Sequence, residues 1–425
     1  MKTLLPLYDI IVSMVKVDKI IPGGQTIATL PDGKKILFWG ALPGEMVKTF
    51  KVTKTKSHYL EAIAQAIEKP SPFRASPKDE CYLSTSPWQI MDYQYELSQK
   101  QLLVVETFRE HQISIPLPPI ITDYKDYFYR NKMEYSLYWD NEESIIKPAF
   151  HQRGSHCKVP VASSSIERPE IFQAAKNIID DLNSRGDEAR RYQSLLLRCN
   201  QKGEISGGLY KNNQPHQIFP NLKDSILKNE YSYSPNGFFQ INLPVYEMVL
   251  LEIEKNITTN DVLDLYAGVG TIGLSVARER NLTLVEIDKF AFNELSRNCK
   301  QVFSKESKGY NNEHTNPKIT GEEYLSRRKS PTPVLAKSEE ALEYIKSNQT
   351  IILDPPRSGC DKKLIEKILE VRPQKIVYLS CNPATQARDI KLLLSEYNID
   401  TIKSYNFFPR TPHIENLVVL TEKAN

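Results

Sequence analysis

Short apolar runs alternate with turn-forming clusters over residues 8–66, the pattern of a chain that doubles back in brief strands. YDIIVSMVKV and KKILFWGAL alternate or cluster β-branched and aromatic residues. Between and after them, Pro22-Gly23-Gly24, Pro31-Asp32-Gly33 and Leu42-Pro43-Gly44-Glu45 supply the backbone conformations that tight turns need. The spacing predicts a small β-barrel over residues 1–67. If VKTFKVTKTKSHYLEA is extended, Lys48, Lys54 and Lys56 share one face. Such a face is either a solvated edge guarded by lysines or a surface for a phosphate backbone.

EKPSPFRASP at residues 68–77 marks a boundary by its Pro and Ser content. A mixed α+β domain is expected over 68–235. It holds a helix at 93–115 that is free to pack on the C-terminal domain, a strand in FYRNKMEYSLYW, a helix near 169–184, and strands up to YSYSPNGFFQIN. From 236 to 425 the pattern changes. DVLDLY, TLVEID, TIILDPP and KIVYLSC are short apolar strands separated by helical stretches, which predicts an α/β domain with a largely parallel sheet. The Lys-, Asn- and Ser-rich stretch 304–335 reads as a surface insertion. No internal repeat is visible.

Composition changes this picture little. The 425 residues are 40% hydrophobic and 25% charged, an ordinary globular balance. No apolar run is long enough to cross a bilayer, and Met1–Tyr8 runs straight into strand-like sequence, so no signal peptide is expected. Six scattered cysteines (Cys81, Cys157, Cys199, Cys299, Cys360, Cys381) argue against a disulfide framework and fit a reducing cytoplasm. Net charge is only +3, yet residues 1–70 carry ten lysines against six acids. A local basic surface of that kind attracts phosphate even when the total is balanced.

Candidate chemistry lies in the last domain. Gly268-Val-Gly270-Thr-Ile-Gly273 follows a strand and opens a helix, and Glu286 ends the next strand, where a carboxylate holds ribose hydroxyls. The same pattern serves a dinucleotide, or a plain turn with no ligand. Asp264, four residues before the first glycine, and Asp354-Pro355-Pro356 tilt the reading to S-adenosylmethionine. Cys381 directly follows an apolar strand, at the end where open α/β sheets carry their sites. A cysteine there is either buried structure or a nucleophile. Asp354 ends one neighbouring strand and Glu415 precedes the last one, which favours the nucleophile.

These motifs together resemble the RNA 5-methyluridine methyltransferase family. The likeness spans about Tyr8 to Thr421 and rests on LSCNPATQARD, FFPRTPHIENLVVL, DPPRSG, DLYAGVGTIGL, FFQIN and YRNKMEYS. It implies a Rossmann-like methyltransferase domain, a mixed central domain and an N-terminal TRAM barrel. It further implies that Cys381 is the nucleophile and Glu415 the base. Gln240, Asp264, Tyr266, Gly268, Gly270, Glu286 and Asp354 would hold the cofactor. Arg130, Asn131 and Lys132 would line the target-base region together with Asp354, which would bind N3–H or order the site. His413 is placed near the site without a proton role.

The chemistry needs those residue types. C5 of uracil becomes nucleophilic once a thiolate adds to C6, and a carboxylate must then remove the C5 proton so that the thiolate leaves. Many members carry a four-cysteine iron–sulfur cluster. Here its positions fall near Leu83, Ser86 and Ser164, with Cys81 nearby and Cys157 offset, so no cluster and no metal are expected. The expected partner is transfer or ribosomal RNA, with no membrane and a monomeric chain. A 5-methylcytidine enzyme, an N-methyltransferase on Asp-Pro-Pro, and an RNA chaperone on the same scaffold are the alternatives.

Overall fold

The protein is described by a computed structural model covering residues 10–186, 191–211, 214–308 and 330–424. The expectation at Met1–Tyr8 that no signal peptide is present lies outside the described residues, as do residues 309–329 of the insertion expected over 304–335.

The first five strands form a closed barrel. They are β1 (Ile10–Ile20), β2 (Thr26–Thr29), β3 (Lys35–Trp39), β4 (Met46–Thr55) and β5 (Tyr59–Lys69), in the order β1-β2-β3-β5-β4 with β1 paired to β4. Alternate side chains fill it, with Val17, Ile36, Val47, Phe50 and Ala62 inside and Phe38 edge-on to Phe50. Strand β5 reaches Lys69, two residues past the expected boundary. Buried Glu45 ties the barrel to the segment after β5. It accepts hydrogen bonds from the Leu42 and Ser71 amides and from the Arg74 guanidinium. Lys48 and Lys54 pair with Glu68 and Glu61 of β5, and Lys56 lies in the turn beyond β4. Cross-strand acids thus offset two of the three lysines that the sequence offers to phosphate.

After helix α1 (Tyr82–Thr85), helix α2 (Tyr93–Glu110) starts at Asp92, whose carboxylate caps the Gln94 and Tyr95 amides, and strand β6 (Ile120–Ile121) comes next. The central sheet is antiparallel. It consists of β7 (Lys132–Asp140), β8 (Ile145–His151), β9 (Lys158–Pro160), β10 (Ser194–Cys199), β11 (Ile205–Lys211) and β12 (Gln214–Ile218), in the order β12-β11-β10-β7-β8-β9. Helix α3 (Pro169–Ser184) buries Ile171, Ala175, Ile179 and Leu182 against one face of that sheet.

The remaining elements build the third unit. They are β13 (Leu222–Ile226), β14 (Asn229–Tyr233), α4 (Leu243–Asn256), β15 (Asp261–Leu265), α5 (Thr271–Val276), β16 (Asn281–Glu286), α6 (Lys289–Lys308), β17 (Thr332–Leu335), β18 (Gln349–Leu353), α7 (Lys362–Val371), β19 (Lys375–Ser380), α8 (Pro383–Leu393), β20 (Tyr397–Tyr405) and β21 (Glu415–Glu422). The sheet order is β17-β16-β15-β18-β19-β21-β20-β6. Strands β15 to β19 are mutually parallel, and β21 runs against them. Both faces are covered, which explains the near-continuous apolar runs of β15, β18 and β19.

Three boundaries differ from the sequence reading. Residues 332–335, placed in the insertion, form an edge strand. The β13–β14 hairpin sends Leu222, Ile226, Tyr231 and Tyr233 into the core of the third unit, so that unit packs from residue 222, not 236. Helix α2 ends at Glu110, where Gln112 turns left-handed, and Val104 and Phe108 join the same unit's other core. No helix of the described residues is long and apolar enough to cross a membrane.

Candidate active site

Strand register assembles the site. Ser380 of β19 is paired with Asn416 of β21, so Cys381 and Glu415 continue the same antiparallel ladder at the sheet's carboxyl edge. Leu353 is paired with Tyr378, which puts Asp354 on the other side of Cys381. Buried amides lock this register. Gln386 donates to the carbonyls of Tyr378 and Asn416, and Asn416 donates back to Gln386.

The three groups face one cavity of about 1680 Å³, also lined by Gln240, Tyr266, Gly268 and Glu286. Of the residues read from sequence, these seven come together, and His413 lies in the same lining. Glu286 sits at its floor, with its carboxylate accepting from the Gly268 amide and the Asp288 amide, each at 2.7 Å. Gly268, at φ +56°, has nothing within 4 Å of where a Cβ would stand, so its backbone is open to a ligand.

Five predicted residues are elsewhere. Asp264 is fully buried beneath the glycine loop, where one oxygen accepts from the Gly273 amide at 2.8 Å and the other has no partner. Its strand position aims it inward at the start of α5, so it shapes the loop and does not line the cavity. Gly270 is the left-handed residue before α5, and a Cβ there would stand 2.6 Å from Leu295, a packing demand. Arg130, Asn131 and Lys132 are also outside the lining. Asn131 donates to the Gln240 carbonyl and thereby fixes that segment. Lys132 reaches the carbonyl of cavity-lining Asn236 at 3.5 Å. Directly opposite Lys132 in the ladder stands Arg198, 1% exposed, with two guanidinium nitrogens lacking a hydrogen-bond partner. Like charges face each other there, at a cost to the sheet.

Sequence reasoning missed Arg357. It lies inside DPPRSG, and its signal was a cation in a strand-end loop beside the acids. Its carbonyl accepts from Asn382 and Thr385, which holds the loop against α8. Its guanidinium stands 3.5 Å from His413 Nδ1. Exposed Phe238, Ile287 and Phe290 line the cavity as apolar surface.

Burial dominates the electrostatics. It pushes the Cys381 thiol up to about 11, with the nearby Glu415 and Asp354 adding to the rise and Arg357 opposing it. It raises Asp354 to about 7, and it lifts Glu415 well above the carboxylate range, with Asp354 contributing and Arg357 opposing. His413 is pushed down to about 4 by burial and then by Arg357, so its ring is neutral at physiological pH. Burial thus opposes the anionic forms of both Cys381 and Glu415, and Arg357 favours them.

Where cluster ligands would stand, a polar network joins two loops. Gln89 donates to Ser86 and Asp79, and Asp79 accepts from the Ser165 amide. The Cys81 thiol faces the Ser163 carbonyl and is raised to about 11 by burial. Among the described residues no group of three or more His, Cys, Asp and Glu is arranged to hold a metal.

Comparison with known proteins agrees with this architecture. Residues 221–423 match the family described as tRNA (Uracil-5-)-methyltransferase. An uncharacterized RNA methyltransferase of Nanoarchaeum equitans is 30% identical over 431 residues, covering 89% of this chain and 88% of that protein. One from Lactobacillus johnsonii is 29% identical over 454 residues, covering 92% and 95%. The crystal structure of the Pyrococcus abyssi tRNA (uracil-54, C5)-methyltransferase in complex with S-adenosyl-L-homocysteine shares the fold. Its TM-score is 0.70 at 20% identity, over 96% of this chain and all of that one. With a relative at that identity across nearly its whole length and a family match over its C-terminal half, this chain belongs to the RNA methyltransferases of the tRNA (uracil-5-)-methyltransferase family.

Proposed function

We propose that the protein methylates C5 of a uridine in RNA through a covalent bond between Cys381 and C6 of the base. The observation that carries this reading is the Ser380–Asn416 register, which sets a thiol and a carboxyl side by side in one cavity. S-adenosyl-L-methionine is the co-substrate, and the cavity fits it. Glu286 offers its carboxylate, Gly268 an uncovered backbone, and Ile287 and Phe290 an apolar wall. When bound, this co-substrate supplies an electrophilic methyl group on a cationic sulfonium.

The chain's own groups do the rest. Arg357 favours the anions of Cys381 and Glu415, opposing the effect of burial. Cys381 gives up its proton to solvent and adds to C6 as the thiolate; the C5–C6 π pair shifts to C4–C5, and the C4–O4 π pair moves onto O4. Asp354 faces this edge, accepting from N3–H when ionised or donating to O4 when neutral. C5 then takes the methyl group. Glu415 removes the C5 proton, the C5–C6 double bond re-forms, and the thiolate leaves. The target base must leave its stack to reach Cys381, so loops and weakly stacked sites are the expected substrates.

Nucleoside mass spectrometry tests the reading. Purified protein and S-adenosyl-L-methionine, incubated with unmodified transfer RNA or ribosomal RNA, are expected to yield 5-methyluridine in one pool and none with Cys381→Ala. New 5-methylcytidine instead, or no new nucleoside in either pool, would overturn it. The proposal includes no iron–sulfur cluster, since the segment holds one thiol where four are needed. A brown preparation with stoichiometric iron would count against that part.

In this reading Lys132 contacts the RNA backbone beside the cavity. Burial, then Arg198, pushes its ammonium down to about 8. Lys132→Gln removes the like-charge opposition to Arg198, so the melting temperature should rise. The KM for RNA should rise too, with kcat unchanged, and its log–log salt slope should flatten by about one. An unchanged slope would remove Lys132 from the RNA interface.

A further inference from the structure

The loop 406–414 joins β20 to β21 and carries Phe408 and His413 into the cavity, with Glu415 as the first residue after it. It has no regular structure of its own. Several of its backbone polar groups are met from outside, by side chains more than 150 residues away in sequence. Asn242 donates to the Phe407 carbonyl at 3.2 Å, and Tyr129 to the Pro409 carbonyl at 3.0 Å. Lys100 of α2 donates to the Asn406 side chain at 2.6 Å and to the Phe408 carbonyl at 3.1 Å. Glu96, one turn earlier on α2, accepts from the Arg410 amide with both oxygens, at 3.0 and 3.1 Å.

The anchors are charged and dry. Glu96 and Lys100 are fully buried and paired at 2.9 Å. Arg410, at φ +62°, hooks back to pair with Asp126 and to donate to the Met91 carbonyl at 2.7 Å. Two cations and two anions balance. A buried ion pair is weak support for overall stability, since apolar side chains of like volume often serve as well. What this one does is hold backbone atoms of a nine-residue loop at fixed heights above α2.

We infer that Glu96, Lys100 and Tyr129 are positioning residues for proton abstraction: they hold the loop 406–414 so that Glu415 stands against C5 of the base. The inference rests on the covalent mechanism proposed above. None of the three lines the cavity, so none touches the reacting atoms. A base displaced by about 1 Å loses on the order of 100-fold in rate. Thiol addition and methyl transfer depend on Cys381, which β19 and α8 hold independently of this loop. Damage to the clamp should therefore appear in the elimination step.

The test is single-turnover methylation by the full chain, followed by denaturing gels that separate free RNA from RNA covalently held by protein. The variant Glu96→Gln/Lys100→Met keeps volume and leaves Arg410 paired with Asp126. It should melt as a folded protein and form the adduct at a rate within about threefold of wild type. It should then release product about 100-fold more slowly, so that adduct accumulates. Tyr129→Phe removes one hydroxyl from the same loop and should slow release several-fold in the same direction. It also serves if the double variant does not fold. Normal release by either folded variant overturns the inference, as does equal slowing of adduct formation and release. Wild type and Glu415→Gln run alongside. If Glu415→Gln traps no adduct, the covalent reading itself has failed, and the clamp with it.

Discussion

Glu415→Gln should trap the RNA on the protein. Glutamine keeps the shape of Glu415 and the neutral form that burial favours there, so substrate binding and the cavity should be preserved. Thiol addition and methyl transfer need no proton acceptor at that position. Elimination does, and an amide cannot take the C5 proton. Turnover should fall by about 10³-fold while a stable adduct approaches one RNA per protein. Intact-mass measurement would show protein plus RNA plus one methyl group. In wild type, release should be slow at low pH and quicken as Glu415 ionises; in the variant it should be flat with pH. Wild-type turnover by the variant would exclude Glu415 as the base.

Asp264→Asn should stabilise the fold at alkaline pH. Asp264 is pushed up to about 8, chiefly by burial, with Asp354 and Glu286 adding to the rise. In the unfolded chain its pKa is about 4. Between those values the folded state keeps a proton that the unfolded state has lost. Stability is therefore full at low pH and falls as pH rises towards 8, by up to about 1.4 kcal/mol per pH unit within that window. Asparagine retains an acceptor for the Gly273 amide and carries no charge. Melting temperatures of wild type and variant should agree near pH 4 and diverge progressively in the variant's favour up to pH 8. Parallel curves would mean that the carboxyl is not a buried acid of this kind.

Much of the cavity's lining was legible because the proposed chemistry needs particular residue types at strand ends. Cys381, Glu415, Asp354 and Glu286 each follow or open an apolar run, and Gly268 sits in a recognisable turn. Other features lay beyond a linear reading. That Cys381 lies beside Glu415 depends on the pairing of Ser380 with Asn416, which is a property of register. Asp264 stands in the right motif, yet strand alternation turns it under the loop. The opposition of Lys132 and Arg198 requires β7 and β10 to be neighbours, although 66 residues separate the two. The α2 clamp joins residues more than 300 apart, where neither spacing nor periodicity carries a signal. The β13–β14 hairpin alternates like any exposed hairpin, and only its neighbours reveal which side it packs on.

The eight-stranded sheet ends in β17 on one side and β6 on the other. Strand β17 has four residues, one of them Pro333, which has no amide hydrogen to give. Strand β6 has two residues and covers one end of β20. A sheet this wide would ordinarily present two long rows of unpaired amides and carbonyls, which recruit strands from other molecules. Here β17 is short and interrupted by proline, while β6 covers only the Ser404–Tyr405 end of β20, whose remaining edge is broken by an irregularity between Ile399 and Thr401. The chain can thus keep a broad apolar core while offering other molecules only short or interrupted strand edges.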